Sequence, residues 1–179
     1  MKKILSLLFI IILIFTGCSS MKFSNFSRSL ETVDKVELDR YLGKWYEYAR
    51  LDVPFEKGMT KTQANYSLME PDKKGRPRIR VVNSGIKNGK FKEAKAKAVI
   101  PDPAEPGRIK VSFFGPFYAD YNIIALDKKD YNWALVSGSS RDYLWFLSRK
   151  PKMDPGIYER LKAIAENYGF DTSALIFPQ

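Results

Sequence analysis

Seven clusters rich in Gly, Pro, Asp, Asn or Ser punctuate residues 43–149: "DVPFEKG", "EPDKKGRP", "KNGK", "PDPAEPG", "FGPFYAD", "DKKDYN" and "SGSSRD". Between them the chain is alternating or continuously apolar, which is the pattern of strands joined by turns. Strands are predicted at 43–52, 61–70, 77–86, 90–100, 107–114, 119–127, 132–138 and 142–149. Eight strands on short connections form an antiparallel up-and-down meander. Closing it into a barrel removes its exposed edges, and eight strands leave an interior that is filled or holds one small ligand. The expected class is therefore all-β, an eight-stranded antiparallel barrel.

The fourth stretch, "KEAKAKAVI" at 92–100, is built from helix formers, yet Ala94, Ala96, Ala98 and Ile100 fall on every second residue. That is the period of a half-buried strand. Packed strand interiors favour branched or aromatic side chains, so three successive inward alanines predict a wall facing space.

After the strands, "DPGIYERLKAIAENYGF" reads as one helix, with Asp154 as N-cap, Pro155 in the first turn and a stop near Gly169. Ile157, Leu161, Ile164, Ala165 and Tyr168 form one apolar stripe. The segments "NIIAL", "WALV" and "LWFL" are apolar on both faces, so the helix is expected to cover the barrel over the last three strands.

The chain opens "MKKILSLLFIIILIFTGCSS", in the basic, apolar, small-residue order of a secretory signal. Its apolar run is too short to span a bilayer comfortably. Residues Phe15-Thr16-Gly17-Cys18 resemble the bacterial lipobox, with Phe15 in place of the usual Leu, which implies cleavage after residue 17 and acylation of Cys18. Ser19 and Ser20 follow without an Asp, which implies export to the outer membrane. Two or three acyl chains give stable anchoring. Cys18 is the single cysteine, so no disulfide forms within the chain. Residues 1–17 are thus read as signal peptide, the polar, Ser-rich residues 18–35 as lipidated N-terminus and tether, and 36–179 as one domain.

The net charge is +10, and removing residues 1–17 takes Lys2 and Lys3 and no acid, leaving +8. Export places the protein where nucleic acid is scarce, so anionic lipid surfaces or anionic ligands fit that charge better.

Three segments carry a family resemblance. "YLGKWYEYARL" resembles the first signature of the lipocalins through Gly43 and Trp45; "YNIIALDKKDYNWALVSG" resembles the second, and "RDYLWFLSRKP", with Arg149, the third. They occur in family order from about Asp39 to Phe177. The chain is most similar to the bacterial outer-membrane branch, and "ANYSLME" is similar to the apolipoprotein D branch. The resemblance implies a ligand-binding barrel whose floor is closed by Trp45 and Arg149, with Gly43 beside them. Counting turns also brings Trp45 and Arg149 to one end, where an Arg over an indole contributes about 0.5–2 kcal/mol.

The same counting sends 52–60, 85–90, 114–119 and 137–142 to the opposite, open end. Phe55, Phe114, Phe117 and Tyr118 there lie beside Lys57, Lys87, Lys90 and Arg141, a mouth suited to an apolar tail with an anionic head. Parity makes Ala64, Tyr66 and Leu68; Ile79, Val81 and Asn83; Ala94, Ala96 and Ala98; and Ile109, Val111 and Phe113 the inward positions, with Tyr121 and Trp145 from later strands. The candidate ligand-binding residues are Tyr66, Leu68, Val81, Asn83, Ala94, Ala96, Ala98, Phe113, Tyr118, Tyr121 and Trp145. A one-residue bulge inverts any such assignment.

The chain has no histidine, which excludes His-based triads, and its one cysteine is assigned to acylation. Glu47 and Asp120 belong to no catalytic motif, and no metal-ligand cluster or cofactor motif is present. The expected function is binding a fatty acid or lysophospholipid, for storage or transport in the envelope. Burying about fifteen methylenes yields roughly 12 kcal/mol, against an association cost of about 4–15 kcal/mol. The competing readings are a structural envelope lipoprotein with a filled barrel, a haem or pigment carrier, and a lipid-modifying enzyme.

Overall fold

In the computed structural model, residues 22–179 are described; the expected secretory leader and Cys18 lie outside them. The barrel strands are β1 (Gly43–Leu51), β2 (Met59–Met69), β3 (Arg78–Lys87), β4 (Lys90–Val99), β5 (Arg108–Phe114), β6 (Phe117–Leu126), β7 (Trp133–Ser137) and β8 (Leu144–Ser148). Each pairs antiparallel with its neighbour. β1 pairs with β8 on one side and β2 on the other, so the sheet closes on itself.

Two boundaries differ from expectation for local reasons. β2 begins at Met59 because a bulge between Thr60 and Gln63, with Lys61 at φ 51, carries the strand past the irregularity. β6 begins at Phe117 because Phe114 pairs directly with it across Gly115 and Pro116, a tighter turn than composition indicates.

A ninth strand, β9 (Leu175–Ile176), was not expected. The ladder between β1 and β2 runs only from Gly43 to Tyr46 on β1; beyond that, Arg50 and Leu51 pair with β9. The Gln179 carboxamide donates to the carbonyls of Glu47 at 3.0 Å and Thr62 at 2.6 Å, joining the strands where they diverge.

Residues 22–35, expected to be a tether, lie along the outside of β5 and β6. A short helix, α1 (Asn25–Ser29), is N-capped by Ser24. Arg108 donates to the carbonyls of Ser27 (2.6 Å) and Leu30 (2.7 Å), Ser27 Oγ donates to Asn122 Oδ1 (2.9 Å), and Val33 N–H to Ile123 O (2.9 Å). Helix α2 (Leu38–Tyr41) then leads into β1.

Two apolar cores follow from strand alternation. One lies inside the barrel and includes Trp45, Ile79, Ala98, Ile123 and Leu147. The other lies between the outer face and α3 (Pro155–Asn167), where Leu161 and Ala165 meet Ala49, Leu135, Leu144 and Phe146. Asp154 caps α3 through Ile157 N–H. One-residue shifts within β1 after Glu47 and within β6 after Ile123 let each strand serve both cores.

The closed end is sealed by Arg149. Its guanidinium carbon sits 3.8 Å from the Trp45 ring centroid. Its nitrogens donate to the carbonyls of Lys44 (2.7 Å), Tyr131 (3.2 Å) and Arg40 (2.5 Å). Gly43 has φ +87, and an added Cβ would stand 3.6 Å from Arg149 Nη1, so the turn into β1 favours glycine. Trp45 is fully buried and donates to Tyr41 O at 2.8 Å.

Arg149→Lys retains the charge but not the planar fork, so at least two of these three bonds are lost. The expected cost is about 1–3 kcal/mol, read as a lowered guanidinium midpoint with unchanged far-ultraviolet dichroism.

Candidate functional site

The barrel encloses a cavity of about 320 Å³ that reaches from the Arg149 end toward the β7–β8 and β1–β2 loops. That volume is at the lower end of the roughly 300–1,000 Å³ typical of small-molecule sites. At its deep end Tyr41, Tyr66 and Tyr121 join their hydroxyls, with Tyr121 Oη 2.7 Å from Tyr41 Oη and 3.1 Å from Tyr66 Oη. Burial raises the phenol pKa of all three. Tyr66 and Tyr121 were candidates; Tyr41 was missed because it precedes the first strand.

The middle of the wall includes Val81, Ala98, Ile109 and Val111, and the upper part Asn83, Phe113, Tyr143 and Trp145. Seven candidate residues therefore share this lining: Tyr66, Val81, Asn83, Ala98, Phe113, Tyr121 and Trp145.

Four candidates lie outside the lining. Leu68 has inward parity, pairing with Ile79, but it stands beyond Tyr66 at the closed end and is 52 % exposed. Ala94 and Ala96 pair with Asn83 and Val81, yet the ladder between β4 and β5 holds only Lys97–Ser112, Ala98–Val111 and Val99–Lys110. Above Lys97 the two strands separate, leaving Ala94 exposed and Ala96 half-buried at the edge of the wall. Only Ala98 of the alanine series reaches the cavity. Tyr118 turns outward, its ring under Lys97 Nζ at 5.8 Å. Cys18 lies outside the described residues.

The wall also carries a charged group that was not anticipated. Glu47 and Glu56 line the cavity around the buried Arg50. Arg50 Nε lies 3.5 Å from Glu47 Oε2 and 3.4 Å from Glu56 Oε2, and its Nη2 donates to Glu56 O at 2.7 Å. Trp145 Nε1 donates to Glu56 Oε2 at 3.1 Å. Burial, reinforced by the Glu56 carboxylate, pushes the Glu47 carboxyl up to about 8, and burial raises Glu56 as well. Burial thus favours the protonated form of Glu47 at neutral pH, and the Glu56 carboxyl lies against the Arg50 guanidinium. The signal was available in "WYEYAR": Glu47 shares the inward parity of Trp45, and the bulge returns Arg50 to the same side.

No cluster of His, Cys, Asp and Glu suited to a metal exists among the described residues. The chemistry on offer is apolar enclosure, a neutral acid, an acceptor on Asn83 Oδ1 with no hydrogen-bond partner, and a floor of hydroxyls.

A closed barrel with a plugged floor and an apolar interior defines a small-ligand-binding protein. Residues 36–179 match the family model described as lipocalin-like domain, and the chain belongs to the lipocalin family. Its relatives include the outer membrane lipoprotein Blc of Vibrio cholerae, 41 % identical over 165 residues covering 91 % of each chain. The outer membrane lipoprotein Blc of Escherichia coli K12 is 42 % identical over 154 residues, covering 85 % of this chain and 84 % of that one. Among solved structures, insecticyanin from the tobacco hornworm Manduca sexta superposes with TM-score 0.64 at 22 % identity, covering 84 % of both chains.

Because Glu47 holds its proton to about pH 8 in the folded chain and releases it in the ordinary carboxylate range when unfolded, stability falls as pH rises between those values. The limiting slope is about 1.4 kcal/mol per pH unit. Glu47→Gln should flatten the decline in melting temperature between pH 5 and 8 and exceed the parent's stability at pH 8.

Proposed function

We propose that the protein is an outer-membrane lipoprotein, acylated at Cys18, whose barrel binds a fatty acid or a lysophospholipid and stores or moves it in the envelope. The observation that carries this reading is the polarity of the cavity along its axis. Its charged lining groups are matched inside the protein: Glu56 by Arg50, Asp120 by Lys110, with Glu47 neutral. Among the described residues no lysine or arginine lines it. An anionic head group inside the barrel would find no cation among the described lining residues, so the tail goes in first and the head stays at the mouth, where the exposed Lys57 and Lys90 lie. The partnerless Asn83 Oδ1 favours a ligand that brings a hydroxyl, as a lysophospholipid does. The names of the relatives support the location, and a lipidated Cys18 supplies the attachment.

Binding rather than catalysis fits this interior. The chain has no histidine, and among the described residues no nucleophile in the lining is paired with a base.

Titrating the delipidated mature chain with a lysophospholipid and with palmitate should give saturable one-to-one binding at micromolar or lower concentration, read by tryptophan fluorescence and native mass spectrometry. Trp145→Phe should remove most of the fluorescence change. Ala98→Trp should weaken affinity at least tenfold, because it fills the middle of the cavity, whereas Ala94→Trp should shift it less than threefold. Absence of binding to the folded parent overturns the reading.

A further inference from the structure

The open end exposes more apolar surface than a water-facing loop cluster requires. Phe114 is 82 % exposed, Phe117 78 % and Phe91 63 %, and Phe55 stands exposed on the turn between β1 and β2. These side chains come from three different connections at one end of the barrel. A shared rim of aromatics marks an interaction surface, whereas isolated exposed apolar residues are ordinary. Lys57, Lys90 and Lys92 are exposed beside them, and Lys97 flanks the same hairpin, its Nζ 3.2 Å from where a Gly115 Cβ would be. The acids at this end are mostly engaged: Glu56 with Arg50 and Glu93 with Lys95. Phenylalanines ringed by free lysines fit the boundary between head groups and acyl chains of an anionic bilayer.

A second, independent observation points the same way. The segment along β5 and β6 runs from the closed end toward the open end as it is followed back to Lys22. Ser24 N–H donates to Asp120 Oδ2 at 3.1 Å, Ser24 Oγ to Ser139 O at 2.9 Å in the loop between β7 and β8, and Lys110 Nζ to Lys22 O at 2.7 Å. Asp120 is three residues from Phe117. Cys18 is four residues from Lys22, a reach of at most about 14 Å when fully extended. An acyl anchor at Cys18 therefore holds the aromatic rim, not the Arg149 floor, close to the lipid surface.

We propose that the open end is a membrane-docking face, with Phe91, Phe114 and Phe117 seated in the head-group boundary of an anionic phospholipid leaflet and the neighbouring lysines on its phosphates. The proposal rests on the lipoprotein reading for its orientation. Phe113 lines the cavity and is itself 39 % exposed, and β4 separates from β5 beside it. Docking thus apposes the leaflet to the opening through which a tail enters.

The test uses the mature chain carrying Cys18→Ser, so that only the protein surface can hold a vesicle. Sedimentation with phosphatidylglycerol-containing vesicles should show binding that weakens as salt rises, and little binding to pure phosphatidylcholine. Phe114→Ser combined with Phe117→Ser should lower partitioning at least tenfold with unchanged circular dichroism, and Lys90→Glu with Lys92→Glu should lower it and reduce the salt dependence. No vesicle binding by the parent, or binding indifferent to the phenylalanine pair, overturns the proposal. So does concentration-dependent dimerisation that the phenylalanine pair abolishes without any vesicle binding, which would make a second copy the occupant. The ligand titration of the parent is read separately, so a failed docking face and a failed ligand reading are distinguishable.

Discussion

Where β8 ends, the guanidinium of Arg149 lies flat over Trp45 and reaches three backbone carbonyls from three parts of the chain. Those carbonyls belong to the segment before β1, to β1 itself and to the turn before β7. A single planar cation thereby ties the first strand, the last strand and the plug beneath them. Arg is suited to this because its five donors are fixed in one plane and its face is weakly hydrated, so stacking and hydrogen bonding are satisfied together. With that end fixed, the strands can diverge at the other without losing register, and a cavity can persist above the tyrosine floor.

The interior is electrically quiet for a chain of net charge +10. Arg50 is completely buried, and its guanidinium is turned to Glu47, Glu56 and the carbonyls of Leu51 and Glu56 rather than to the cavity. Positive charge is instead concentrated outside and at the rim. The protein separates the two tasks that an amphiphile sets: apolar enclosure takes the tail, and the surface meets the head.

Much of this was legible in the sequence because turns and alternation are local. The Asn88–Gly89 turn, with both residues at positive φ, is what "KNGK" foretells. Parity also holds along β2, β3 and β4: Ala64, Asn83 and Ala94 stand in one row and Tyr66, Val81 and Ala96 in the next. Parity gives the face of a strand but not the height along the barrel, which is why Leu68 falls below the floor and Ala94 above the last rung of the ladder. Much of what escaped in the fold depends on backbone carbonyls. β9 joins β1 by main-chain bonds, and residues 22–35 are held by Arg108 donating to carbonyls that any residue would present. Such contacts leave no compositional trace.

The seam between β1 and β2 has a further consequence. Residues 132 positions apart meet when Gln179 bridges to Glu47, whereas the strands on either side are hairpin neighbours. A join made by one two-residue strand, the Lys61 N–H bond to the Pro178 carbonyl and a single carboxamide releases at a lower free energy than the long ladders around it. The wall therefore has its weakest join on the side where the buried Glu47 sits, and opening there would reach that acid without unpairing the floor. The barrel is accordingly a vessel with a rigid base and one side that can leak.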